Sequence, residues 1–194
     1  MDRHPKVTAA FVLTLTTLTG ALASAVSSTS TVARPSDPVR VERGAYLVRT
    51  MGCNDCHTPW KLGPRGPEPD MSRALTGHPE GLVMPPPPEL PPGPWAWMGA
   101  ATNTAFAGPW GVSFTANLTP DEETGLGKWT EEMFIQAMRT GRHEGKGRPI
   151  LPPMPYFVVA QLTDEDIKSL FAYLQSLPPV RNRVPQPVDP PEKP

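Results

Sequence analysis

The chain has 194 residues, 28 of them proline, and a formal net charge of −1. That length allows one domain with a real core, and the near-neutral charge excludes the basic field of a nucleic-acid binder. So many prolines cannot lie inside helices or central strands, so much of the chain must be loop or extended segment.

Residues 1–25 read as an export signal. Arg3 and Lys6 supply a positive start, and Val7 to Val26 is uncharged and apolar or small. Ala21-Leu22-Ala23 and Ala23-Ser24-Ala25 both offer small-x-small cleavage sites. The run is close to the roughly 20 residues that span a bilayer, so an uncleaved membrane anchor is the alternative. Five threonines dilute its hydrophobicity and favour cleavage into the periplasm. Losing Arg3, Lys6 and Asp2 takes the charge from −1 to −2. No cysteine stands near the cleavage sites, which argues against a lipoprotein.

Residues 26–37 form a Ser/Thr-rich flexible linker. Ser36 or Asp37 can N-cap a helix with Pro38 at its first position. Val41, Ala45, Val48 and Gly52 then recur at helical spacing and deliver the chain into Cys53. From Trp60 to Phe114 no periodicity is sustained. Glycines, the Pro85–Pro88 run and Pro91-Pro92 predict a long ordered loop, with one short helix near Met71 to Leu75. Trp95, Trp97 and Trp110 favour order there, because disordered segments are poor in aromatics. That loop is expected to cover a cofactor edge or to bind a partner, as tryptophans anchor interfaces. Thr130 caps the next helix, with Glu131 and Glu132 in its first turn and Gly141 at its end. Thr163 caps the last, where Ile167, Leu170, Phe171, Leu174 and Leu177 make the buried stripe and Pro178-Pro179 is the stop. Residues 179–194 read as a proline-rich extended tail. Asn117-Leu118-Thr119 fits a glycosylation sequon.

Cys53-Asn54-Asp55-Cys56-His57 is the attachment pattern of a c-type haem. Residues three apart on a helical turn face one side, so both thiols can reach the vinyl groups on one haem edge. His57 follows at once and puts its imidazole under the iron. Three other readings compete: a redox dithiol, half a zinc site and a simple disulfide. No βαβ pattern surrounds the pair and no second Cys pair exists, so one covalent haem c is expected.

The second axial ligand has several candidates. Met154, between Pro153 and Pro155, leads, because prolines hold its thioether in one place while core methionines rarely stand between prolines. Met84, before the proline run, is second. His78 and His143 remain open. Met133 and Met138 fall on a helical face and read as packing. Arg139, Arg142, Lys146 and Arg148 read as a solvated basic face. Pairing with haem propionates, or docking a partner, is the functional alternative.

The segments Gly44-Ala45-Tyr46-Leu47-Val48, Cys53 to Thr58, Asn117-Leu118-Thr119-Pro120-Asp121, Gly127-Lys128-Trp129-Thr130, Met154-Pro155-Tyr156 and Leu162 to Asp166 come in an order that resembles the class I cytochrome c family. Within it they resemble the haem domains of cytochrome subunits of periplasmic dehydrogenases. The likeness covers about residues 38–180, apart from Trp60 to about Thr115. It implies an all-α fold, three to five helices around one haem, in residues 38–178, with a long proline-rich loop insertion at 60–115. It implies His57 and Met154 as axial ligands and Trp129 near a haem propionate, with ordinary core packing as the alternative for Trp129. It also implies that Gly44 and Tyr173 lie where the first and last helices cross.

The expected function is outer-sphere electron transfer between a redox-protein donor and acceptor, as a carrier or as a subunit of a dehydrogenase or respiratory chain, with no substrate turned over. The rival reading is a haem peroxidase or ligand sensor, which needs an open or displaceable sixth site. A dithiol protein without haem is the remaining alternative.

Overall fold

A computed structural model describes residues 37–90 and 93–190, together with Met1. The expected export segment and the linker up to Ser36 otherwise lie outside the described residues. Five helices are found there: α1 Pro38–Thr50, α2 Cys53–His57, α3 Glu131–Thr140, α4 Tyr156–Val159 and α5 Asp164–Ser176. Their caps follow from local chemistry. Asp37 accepts from the Val39 N–H, Thr130 from Met133 and Thr163 from Asp166, each satisfying an N–H that lacks a partner in the first turn. Helix α3 stops at Gly141, in the left-handed region.

Helices α1, α3 and α5 build the core. Leu47 and Val48 of α1, Phe134, Ile135, Ala137 and Met138 of α3, and Ile167, Leu170, Phe171 and Leu174 of α5 are all buried in one cluster. Helices α1 and α5 touch at Gly44. A Cβ there would lie 2.0 Å from the Ser169 carbonyl oxygen and 2.6 Å from the Tyr173 Cβ. Only glycine permits backbones that close. On the solvent side Arg43 grips both Asp166 oxygens, at 2.8 and 3.1 Å, and Arg40 pairs with Glu165 at 2.8 Å. These are exposed pairs that solvent and salt screen, so apolar burial at the crossing dominates.

The stretch from Trp60 to Phe114 corrects the expectation of an all-α fold with a loop insertion. It holds two small antiparallel sheets. Strands β1 Trp60–Gly63 and β2 Gly66–Pro69 form a hairpin with Gly63 opposite Gly66. Strands β3 Met98–Gly99, β4 Ala105–Gly108 and β5 Gly111–Phe114 form a three-stranded sheet in that order, with Gly108 opposite Gly111. The physical reason is donor accounting. Prolines rule out helices, and a buried backbone group without a partner is costly, so short strands pair across two Gly-Pro-x-Gly turns, Gly63 to Gly66 and Gly108 to Gly111. The short helix expected near Met71 to Leu75 is one turn of 3-10 helix, Met71–Arg73.

The proline-rich tail runs extended along this scaffold as far as it is described. Val188 exchanges both backbone hydrogen bonds with Val112 of β5, at 2.8 and 2.9 Å, covering that strand's open edge. Asn182 is buried and donates to the carbonyls of Thr76 (2.6 Å) and His78 (2.9 Å), while its Oδ1 accepts from the Glu80 N–H (2.8 Å).

Gly44→Ala gains a little helix propensity but drives a methyl into backbone. The overpacking outweighs it and should destabilise the fold by about 2 to 3 kcal/mol. Denaturant unfolding of the two proteins checks this, and an unchanged midpoint would show that the helices can separate freely.

Candidate functional site

Helix α1 ends at Thr50, and Gly52, with φ of 68°, turns the chain into α2. The five residues Cys53–His57 make one helical turn, too short to hold itself. External bonds hold it. The Asp55 carbonyl accepts from Trp60 Nε1 (2.8 Å) and Asn103 Nδ2 (2.7 Å). The His57 carbonyl accepts from the Gly77 N–H at 2.8 Å. Thr58, fully buried, donates to Asn54 Oδ1 (2.8 Å) and accepts from the Leu75 N–H (2.9 Å). Most of these partners come from the segment expected to be loop.

His57 is buried, and its Nδ1 lies 2.8 Å from the Ala116 carbonyl oxygen. A carbonyl can only accept, so Nδ1 carries the proton and Nε2 keeps a free lone pair. Burial lowers the imidazole's pKa, opposed by the Ala116 bond, so the ring stays neutral as a ligand must be. Gly77 makes the arrangement possible. Its φ is 76°, and a Cβ there would lie 2.4 Å from the Thr115 carbonyl and 2.6 Å from that of Ala116. Strand-end residues 115–116 can therefore press against residue 77 and present the Ala116 carbonyl to the imidazole.

Cys53 and Cys56 are half-buried free thiols three residues apart. Burial pushes the Cys53 thiol up to about 11 and raises Cys56 as well. Thiols held that high are protonated at neutral pH, unlike the lowered nucleophile of a dithiol oxidoreductase. Among the described residues no group of three or more His, Cys, Asp or Glu could hold a metal ion. Two thiols on one turn beside a neutral histidine with a free Nε2 suit a covalently attached haem.

Met154 is half-buried and packs against the same apolar cluster as Cys53, Met51 and Trp129. Met84 lies elsewhere, in a groove of about 260 Å³ between the Pro85–Pro88 run and strands β3 and β4. His78 is fully buried, with Nδ1 3.0 Å from Thr104 Oγ1 and Nε2 2.9 Å from the Leu82 carbonyl. Both its nitrogens are engaged, so it has no lone pair to offer. His143 is exposed and meets Trp129 edge-on, ring centres 5.0 Å apart. The basic cluster divides. Arg139 is tied to the carbonyls of Ala160 and Leu162 and to Asp164, so it staples α3 to the start of α5. Arg142, Lys146 and Arg148 are exposed. Asn117 is only 3% exposed, and its Nδ2 donates to the Val180 carbonyl at 2.8 Å, so the chance match to a sequon is buried in the folded chain. The Ala116 carbonyl carries no sequence signal, since any residue supplies one.

The sequence model of the cytochrome c family matches residues 41–178. The chain is 30% identical over 149 residues to the cytochrome c subunit of the alcohol dehydrogenase (quinone) of Gluconobacter oxydans, covering 77% of this chain and 24% of that protein. It is 28% identical over 158 residues to the fructose dehydrogenase cytochrome subunit of Gluconobacter japonicus, covering 78% and 25%. It is 32% identical over 133 residues to the gluconate 2-dehydrogenase cytochrome c subunit of Pantoea cypripedii, covering 69% and 22%. The chain thus spans a quarter or less of the length of these relatives.

Burial lowers the pKa of His78, so the folded protein binds that proton less well than the unfolded chain. Its contribution is complete above the ordinary histidine value of about 6.5 and falls as the pH drops through it toward the lower folded value. Denaturant midpoints taken from about pH 7 to about pH 5 should therefore decline, and His78→Gln should flatten that slope. A variant curve parallel to the wild type would contradict this assignment.

Proposed function

The chain belongs to the cytochrome c family, and from that premise we propose that residues 38–178 carry one covalent haem c, ligated by His57 and Met154, and relay electrons between two protein partners. The observation that carries this reading is the His57–Ala116 hydrogen bond, which leaves Nε2 free beside two thiols on one helical turn. A haem bound there supplies a reversible one-electron ferric/ferrous couple. Cys53 and Cys56 hold it by thioethers, so it cannot dissociate. His57 gives its Nε2 lone pair to the iron, and the Ala116 carbonyl keeps the ring from turning.

Met154 would supply the second protein ligand. Its thioether would favour the ferrous state and raise the potential, and with both protein ligands supplied by the chain, oxygen and peroxide would be kept from the iron. Axial ligands move such potentials over about 0.8 V, so ligand identity dominates the tuning. Trp129, half-buried against the same cluster, is suited to donate its indole N–H to a propionate. The chain itself turns over no substrate. It serves as a carrier or as the cytochrome subunit of a dehydrogenase or respiratory complex. Residues 1–25 export it to the periplasm. No helix among the described residues is long and apolar enough to cross a membrane.

The test is the ferric visible spectrum of the purified protein, co-expressed with haem-attachment machinery, beside that of Met154→Ala. A far-red sulfur-to-iron band in the wild type should vanish in the variant while the haem stays covalently bound. If the band survives, Met84 or another methionine is the ligand. If the wild type lacks it, the open-site peroxidase or sensor reading takes over.

A further inference from the structure

The segment that carries Met154 is poor in means of holding itself. Pro152, Pro153 and Pro155 have no N–H, so residues 151–155 form no ladder and can be anchored by little beyond their carbonyls. At the upstream end the Ile150 N–H donates to the Gly141 carbonyl at 2.8 Å. At the downstream end the Tyr156 N–H donates to the Met154 carbonyl at 2.9 Å. Between them the Pro152 carbonyl accepts from Ser113 Oγ at 2.6 Å. Ser113 lies on β5, 39 residues away in sequence, and is only 7% exposed.

Ser113 has one hydroxyl proton and two carbonyls within reach, Pro152 at 2.6 Å and Phe106 at 3.5 Å. The shorter contact takes it. Trp110 Nε1 donates to the same Oγ at 3.3 Å, which polarises the hydroxyl and orients its proton toward Pro152. Strand β5 is itself held on both sides, by β4 and by Val188 of the tail. The donor therefore comes from a rigid element.

We propose that Ser113 is a positioning residue for the Met154 thioether, acting through the Pro152 carbonyl. The inference rests on Met154 being the second axial ligand. It gives the sheet in residues 98–114 a role at the iron: the sheet limits how far the methionine loop can swing away, and so how easily another ligand displaces the thioether.

The experiment titrates the ferric holoprotein with imidazole and follows loss of the far-red sulfur-to-iron band. Wild type, Ser113→Ala, Ser113→Thr, Trp110→Phe and Met154→Ala are compared, with thermal unfolding as a control. Removing one hydrogen bond to the loop should tighten apparent imidazole binding by roughly 3- to 10-fold in Ser113→Ala. Ser113→Thr keeps the hydroxyl and should stay near wild type, while Trp110→Phe should shift the same way by less. Unchanged imidazole affinity in Ser113→Ala overturns the proposal even where its melting temperature falls, and so does a Ser113→Thr that binds imidazole as tightly as the alanine variant. If Ser113→Ala does not accumulate folded, Trp110→Phe decides, an unchanged affinity again overturning it. A band that persists in Met154→Ala brings down the ligand assignment and this proposal together. A band lost there, with Ser113→Ala unchanged, brings down the positioning role alone.

Discussion

One hydrogen bond organises the site: the His57 imidazole to the Ala116 carbonyl, 2.8 Å long. A buried histidine that lacks a partner for Nδ1 can rotate, change tautomer or protonate, and each outcome takes away the free Nε2 lone pair. The carbonyl blocks the first two, and burial disfavours the third. It can do so only because residues 115 and 116 lie against Gly77, whose own N–H returns to the His57 carbonyl. Histidine, glycine and carbonyl thus form a closed loop of contacts. The helical turn Cys53–His57 has no such support of its own.

The stretch between Trp60 and Phe114 is therefore structural support for the site on two sides. Trp60 and Asn103 cap α2 from outside through the Asp55 carbonyl. Leu75 and Gly77 hold its far end through Thr58 and His57. Strand β5 meets the Met154 loop through Ser113. Exposed tryptophans remain at its rim, Trp95 at 75% and Trp97 at 46%, while Trp110 is turned inward toward Ser113.

What the sequence revealed depended on whether the signal was local. Caps at Asp37, Thr130 and Thr163 need only a polar side chain two or three residues from an N–H, so helix starts could be read directly. The Cys53–His57 motif is equally local. The sheets were illegible because their strands are two to four residues long, too short for alternation to register. Their one local mark, Gly-Pro-x-Gly at 63–66 and again at 108–111, was there to be seen as a pair of turns. The triplet at Asn117 shows the opposite limit. A three-residue pattern says nothing of burial, and this asparagine's amide is consumed by Val180, 63 residues on. The Ala116 carbonyl had no mark at all, since every residue has one.

The tail's course along β5 bears on the order in which the molecule can be assembled. Asn182 bridges to Thr76 and His78 across 106 and 104 residues, and Val188 closes the β5 edge that carries Ser113. Contacts that distant close slowly, because a long loop must be ordered first. A chain emerging from its N-terminus displays Cys53, Cys56 and His57 long before residues 182–188 exist to brace the elements around them. The contacts around the two thiols that depend on residues 182–188 are thus among the last the chain can close, and the tail acts as a latch on elements that are otherwise local.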